Sequence, residues 1–181
     1  EFFDRYVGVD LSEYVCLVDD PRRAHAKGQA LTVEHLGNVI GGRQIRYINT
    51  EMGTIKKIAS RMIARGEPVW FGADVSQQSE RDLGLLVEDL HDYSGLFGVD
   101  LKTTKEQRVL SGESAMNHAM LFTGVDIDED GHPRRWRVEN SWGEDVGEKG
   151  FFTMDDAWFS EYVFEVVVKI SELPDELRPA V

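Results

Sequence analysis

Between Met116 and Phe152 the chain sets a histidine, an asparagine and a tryptophan in a context that leaves few folds open. Met116-Asn117-His118-Ala119-Met120 leads into an apolar run, and an acidic turn follows. Then come Trp136-Arg137-Val138-Glu139-Asn140-Ser141-Trp142-Gly143 and Gly147-Glu148-Lys149-Gly150-Phe151-Phe152. His118 opens one predicted strand and Asn140 closes the next, 22 residues later. Neighbouring strands joined by a short turn bring such positions together across a hairpin. An imidazole beside a side-chain amide oxygen is an oriented base, because the acceptor fixes one ring nitrogen and leaves the other available.

Before this segment the pattern mixes helix and strand. Glu1 to Val7 has helical spacing and stops at Gly8. Glu13 to Val18 is β-rich and contains Cys16, the single cysteine, before the turn signal Asp19-Asp20-Pro21. Residues 22–30 read as loop. Val39 to Arg43 reads as a turn before a strand over Gln44 to Asn49. Met52, Ile55, Ile58, Ala59, Met62 and Ile63 recur at helical spacing, and Gly66 ends that helix. Pro68 to Val75 reads as a buried strand. Residues 76–112 have no clear period and read as a surface excursion, with short helices over Glu80 to Leu90 and Lys102 to Leu110. From Ala115 onward short strands dominate: Ala119 to Asp126, Arg134 to Glu139, Gly150 to Met154 and Tyr162 to Ile170. A helical turn over Asp155 to Ser160 separates the last two. Residues 171–181 are polar with two prolines and read as a tail.

The block Asn117-His118-Ala119, then Glu139-Asn140-Ser141-Trp142-Gly143, then Gly147-Glu148-Lys149-Gly150-Phe151 resembles the histidine–asparagine half of papain-like cysteine peptidases. Tyr14 to Arg22, Gly66 to Gly72 and Trp158 to Val168 narrow the resemblance to the bleomycin hydrolase / aminopeptidase C family. It covers nearly all of residues 1–181 and only the later part of such an enzyme. The fold it implies is α+β: the later part of a papain-like fold, with a twisted antiparallel sheet tending toward a barrel and flanking helices. The function it implies is a cysteine aminopeptidase that removes N-terminal residues from peptides through a thioester. It also implies a cytoplasmic homo-hexamer, no cofactor and no metal. His118 and Asn140 are then the catalytic base and its orienter, and Trp142 shields their contact. Asn117 falls at the rim of the substrate cleft; otherwise it is a strand-entry residue.

Each candidate also has a plainer account. A histidine beside apolar residues is usually structural, and Trp142 fills a core as readily as it shields a site. Cys16 lies in an apolar strand with no helix N-terminus after it, so it lacks what lowers a thiol pKa, and it reads as structural. The family's nucleophile follows a glutamine-containing motif upstream of a long helix, and nothing here matches it. The expected isolated chain is therefore inactive, completed by an N-terminal portion of the same protein. A non-enzymatic scaffold with the peptidase fold is the competing reading. Asp126 to Gly131 begins like an EF-hand loop, but Arg137 stands where a bidentate glutamate belongs, so it reads as an acidic hairpin turn.

Composition limits the partners. The formal net charge is −13, which disfavours nucleic acid and anionic membrane surfaces. No run of 18 apolar residues exists, and the first residues lack a signal-peptide pattern and an initiator Met. The expectation is a chain that begins inside a longer protein. Its end, Leu173 to Val181, is shorter than the family's C-terminal arm, so exopeptidase restriction by that arm is the least secure inheritance.

Overall fold

A computed structural model describes residues 2–37, 39–42 and 44–180. The elements in order are α1 (Phe2–Tyr6), β1 (Tyr14–Val18), β2 (Ala30–Leu31), β3 (Tyr47–Asn49), α2 (Met52–Ala64), β4 (Val69–Ala73), β5 (Ser79–Glu80), β6 (Leu85–Leu86), α3 (Tyr93–Phe97), α4 (Lys105–Ser111), β7 (His118–Ile127), β8 (Pro133–Glu139), β9 (Phe151–Asp155), α5 (Asp156–Tyr162) and β10 (Val163–Lys169). All strands join one sheet in the order β2-β3-β1-β10-β4-β7-β8-β9-β6-β5. The α+β class holds. The sheet is mixed rather than purely antiparallel, because β1 runs parallel to β3 and β6 parallel to β9. Among the described residues no helix is long and apolar enough to cross a membrane.

Strand alternation decides what is inside. Leu17, Ile48, Phe71, Phe122, Val138 and Val166 point to one face and are fully buried there. The apolar stripe of α2, with Ile55, Ile58, Ala59 and Met62, covers that face, and Trp158 and Phe159 of α5 complete it. Aromatic rings form the centre. Phe71 stacks on Phe122 at 3.7 Å between centroids, Phe122 on Phe159 at 5.0 Å, and Trp136 meets Phe159 at 4.7 Å. On the opposite face β4 leaves Trp70 exposed and Gly72 buried. Gly72 faces the same way. A Cβ there would lie 2.2 Å from Met116 Sδ, so the methionine occupies space that only a hydrogen leaves open.

The stretch expected as a surface excursion is more deeply integrated. Leu86 is buried, and Trp158 Nε1 donates to the Gln77 carbonyl at 3.0 Å. In place of a helix over Glu80 to Leu90 there is the β5–β6 hairpin. Its turn needs Gly84 at φ +66, and a Cβ there would meet Gly147 Cα at 2.8 Å. Pairing with β9 overrides the local helical preference. Between the two expected helices lies α3, capped by Asp92 and ended by Gly98 in the left-handed region. The α4 helix matches its prediction and starts with a capping box, Thr104 to Gln107.

α4 is held by two buried cations. Lys105 Nζ donates to Asp19 Oδ2 at 2.9 Å and to the carbonyls of Ser160 and Val163. Arg108 pairs with Glu161 and lies over the Tyr162 ring. Burial drives the Lys105 pKa down, and Asp19 opposes that. Burial alone would raise Asp19, but the Lys105 and Lys27 ammonium groups hold it below the usual carboxylate range. Asp20 behaves likewise through Arg22 and His25.

The ends are corrected too. The strand expected over Gln44 to Asn49 shortens to β3. Residues 171–180 are not a free tail, because Leu173 and Leu177 are buried against the core. Glu1, Arg43 and Val181, which fall in the predicted first helix, the Val39 turn and the tail, lie outside the described residues.

Two outcomes follow for stability. Lys105→Met leaves Asp19 with Lys27 alone and the Ser160 and Val163 carbonyls without their donor, and lowers the unfolding free energy by about 3 kcal/mol, read as a lower urea midpoint; Lys102→Met, on an exposed pair, leaves the midpoint in place. Asp19 and Asp20 have folded pKa values below their unfolded ones. Their contribution is present above about pH 4 and is lost as the pH falls further. Asp20→Asn should therefore flatten the acid limb of a stability–pH profile.

Candidate active site

His118 is fixed by the strands on both sides of it. On one side it pairs with Ala73 at the end of β4, and on the other β7 continues into the hairpin with β8. Asn140 follows β8 directly, and its N–H donates to the Gly150 carbonyl at 3.0 Å. The two ends of the hairpin meet: His118 Nε2 lies 2.9 Å from Asn140 Oδ1. The same oxygen accepts the Ser141 N–H at 2.8 Å, and a backbone N–H can only donate. The atom facing the ring is therefore an acceptor, the imidazole carries its proton on Nε2, and Nδ1 is left as the free basic nitrogen. The 2.9 Å separation is that of an ordinary hydrogen bond.

Trp142 stacks on the His118 ring at 4.8 Å between centroids and 27° between planes. Its other neighbours are Phe152, edge-on at 5.7 Å, and the Arg81 guanidinium, 4.9 Å from the indole centroid. Beneath the indole lies a cavity of about 220 Å³ lined by Val75, Ser79, Leu86, Met120, Asn140 and Phe152, among others. The Asn140 Nδ2 is buried without a hydrogen-bond partner among the described residues.

Asn117 has a different task from a free rim residue. Its Nδ2 donates to Asp74 Oδ1 at 2.6 Å, and its Oδ1 accepts the Val75 N–H at 3.0 Å. Asp74, 1% exposed, also accepts from the Ser114 hydroxyl and the Ala115 N–H. This knot ties the end of β4 to the segment entering β7 and so sets where His118 begins. Neither Asp74 nor Arg81 is marked by any motif. An acidic residue closing a strand and an arginine in a polar stretch are ordinary in sequence, and only the tertiary pairing gives them their positions.

Cys16 stands elsewhere. It faces the side of the sheet away from the helices, with Tyr47 and the buried Glu165, whose Oε2 is 4.0 Å from the sulfur. Burial, with the Glu165 carboxylate adding to it, pushes the thiol up to about 12. Burial also raises Glu165, moderated by a hydrogen bond from Tyr47. This is the reverse of an electropositive thiolate site. The acidic hairpin turn is built on Asp128, whose Oδ1 accepts the N–H groups of Asp130 and His132; those backbone bonds hold its carboxyl below the usual range.

A model of the Peptidase C1-like family matches residues 1–181. Aminopeptidase C of Lactococcus lactis subsp. cremoris is 43% identical over 97% of the chain. Bleomycin hydrolase of Homo sapiens is 46% identical over 98% of it. The chain spans only 40% of the length of either relative. The crystal structure of PepW from Lactobacillus rhamnosis superposes with a TM-score of 0.95 at 45% identity, covering 99% of this chain and 40% of that one.

The environment of Cys16 makes a direct prediction. At pH 8 iodoacetamide should modify it roughly 10³-fold more slowly than free cysteine, because its thiolate fraction is that much smaller. Intact mass after timed alkylation checks this, and rapid single modification would place Cys16 in a reactive site instead.

Proposed function

Because the chain belongs to the Peptidase C1-like family, we propose that it is the histidine–asparagine part of a cysteine aminopeptidase that removes N-terminal residues from peptides. The observation that carries this is the 2.9 Å contact of His118 with Asn140 under the Trp142 indole. The Asn140 oxygen leaves Nδ1 as the nitrogen that takes a proton from a thiol and later returns it to the leaving amine. The imidazolium so formed stabilises the thiolate. Trp142 keeps water from the orienting hydrogen bond, which is stronger where the dielectric is low. Asn117 stands at the rim of the cleft, with its side chain used to hold that rim in shape.

The chain does not supply everything the reaction needs. Cys16 is half-buried beside a carboxylate on the sheet face away from the helices, so the nucleophile and the oxyanion donors come from another portion of a longer protein. That portion is the proposed first partner, packed against the edge where Met116 and His118 enter β7. The wider assembly is a homo-hexamer in the cytoplasm, as the family resemblance suggests. Peptide hydrolysis then proceeds through a thioester on the partner portion's cysteine.

An aminoacyl fluorogenic amide tests this reading. The 181-residue chain alone should give no thiol-dependent turnover, while a longer protein that includes it should be active and inhibited by iodoacetamide. In the longer protein His118→Ala should lose about 10³-fold or more in kcat/KM. Asn140→Ala should lose less, about 10- to 10²-fold, because orientation is degraded while the base remains. Activity unchanged in His118→Ala would refute the assignment.

A further inference from the structure

The contact between Arg81 and Trp142 has no place in the chemistry above. Arg81 sits in the turn between β5 and β6, and its guanidinium lies over the indole at 4.9 Å. The same indole stacks on the His118 ring at 4.8 Å between centroids. Cation and imidazole thus meet at one indole. We infer that Arg81 is a positioning residue, which clamps Trp142 onto the His118–Asn140 pair and thereby keeps the imidazole oriented.

Several features make the contact a built arrangement. The hairpin bearing Arg81 is locked to the strand beyond the active-site loop. The Thr153 N–H donates to the Gly84 carbonyl at 2.8 Å, and Leu85 and Leu86 pair with Thr153 and Met154. Gly84 lies directly against Gly147, in the loop that follows Trp142, so the two loops close on each other backbone to backbone. The turn is itself hydrogen-bonded, Gly84 N–H to the Arg81 carbonyl at 3.2 Å. No carboxylate is paired with the Arg81 guanidinium among the described residues, so the indole face is its described contact.

The clamp matters because of what lies beside it. A cavity of about 220 Å³ is lined by Arg81, Trp142 and Asn140, whose buried Nδ2 has no partner among the described residues. Trp142 is only partly buried and packs against the core, with Phe152 edge-on at 5.7 Å. The Arg81 cation adds a constraint on the tilt of the indole, since the attraction falls off when the ring turns its face away. The indole in turn limits how far the His118 ring rotates about its bond to Asn140.

The proposal rests on the peptidase reading for its catalytic consequence but not for its geometry, and two measurements separate the two. In the 181-residue chain, the ring protons of His118 should show an upfield displacement from the indole ring current. Arg81→Met should reduce that displacement while the hydrogen-exchange protection of β7 and β8 persists, and Arg81→Lys should largely restore it. In the longer, active protein Arg81→Met should lower kcat roughly two- to five-fold with KM little changed, and Arg81→Lys should recover most of the loss, as an exposed cation–π contact predicts. Arg81 is exposed, so none of these variants removes core packing. The inference is overturned if Arg81→Met leaves the His118 shifts in place, or if Arg81→Lys is as impaired as Arg81→Met. A longer protein without peptidase activity would overturn the proposed function and leave the resonance measurement to decide the clamp.

Discussion

The pairing register of β7 is the constraint on which everything else depends. A strand alternates faces with a period of two, so a slip of one residue would invert all of its side chains. Pairing Val69 with Phe122 and Phe122 with Val138 sends Phe122 into the aromatic centre. The same choice sends His118, four residues earlier, to the face where Asn140 and Trp142 wait. The core and the candidate site are thus two ends of one decision. The hydrophobic effect acting on Phe71, Phe122, Trp136 and Phe159 supplies the energy, and the imidazole is placed as a consequence. The Asp74–Asn117 knot sharpens this at the strand entrance, where packing is thinner and fraying would otherwise blur the position of the ring.

Much of this was legible in the sequence because it was local. The hairpin from His118 to Asn140 has alternating strands and a turn, and α2 has an apolar stripe ended by Gly66. Their existence and type follow from periodicity. The pairing of His118 with Asn140 was foreseen through family resemblance, since spacing alone does not choose between registers. What was not legible depends on contacts between distant segments. The β5–β6 hairpin has helical-looking residues, and it becomes a hairpin because β9 offers an edge and Gly147 leaves room for Gly84. Leu173 and Leu177 look like two apolar residues in a polar tail, and only the folded core shows where they go. Asn117 was expected at the rim of a substrate cleft; its amide is occupied by Asp74, a partner that no local pattern announces.

The electrostatic arrangement divides the molecule into two kinds of site. Around Asp19, Asp20, Lys27 and Lys105, opposite charges are paired and buried, and backbone carbonyls absorb the remaining donors. Such a network is rigid and binds α4 to the rest of the sheet. Around Cys16, Tyr47 and Glu165 no cation is paired among the described residues, and burial drives all three groups toward their neutral forms, the phenol to about 12. Charge is thus confined to places where a partner exists. His118 is held by a neutral acceptor, the Asn140 oxygen, which orients the ring.

The notch at Gly72 has a consequence for how the sequence can drift. Met116 Sδ occupies the space where any larger residue at position 72 would put its first carbon, with Glu165 on the other side at 3.0 Å. Positions 72 and 116 lie 44 residues apart in the chain and are read as unrelated when the sequence is scanned. They nevertheless share one small volume, two residues upstream of the catalytic candidate. A side chain at 72 is compatible only with a shorter one at 116, so the two positions form a single unit of substitution. Changes at one of them are passed on, through the strand entrance, to the placement of His118.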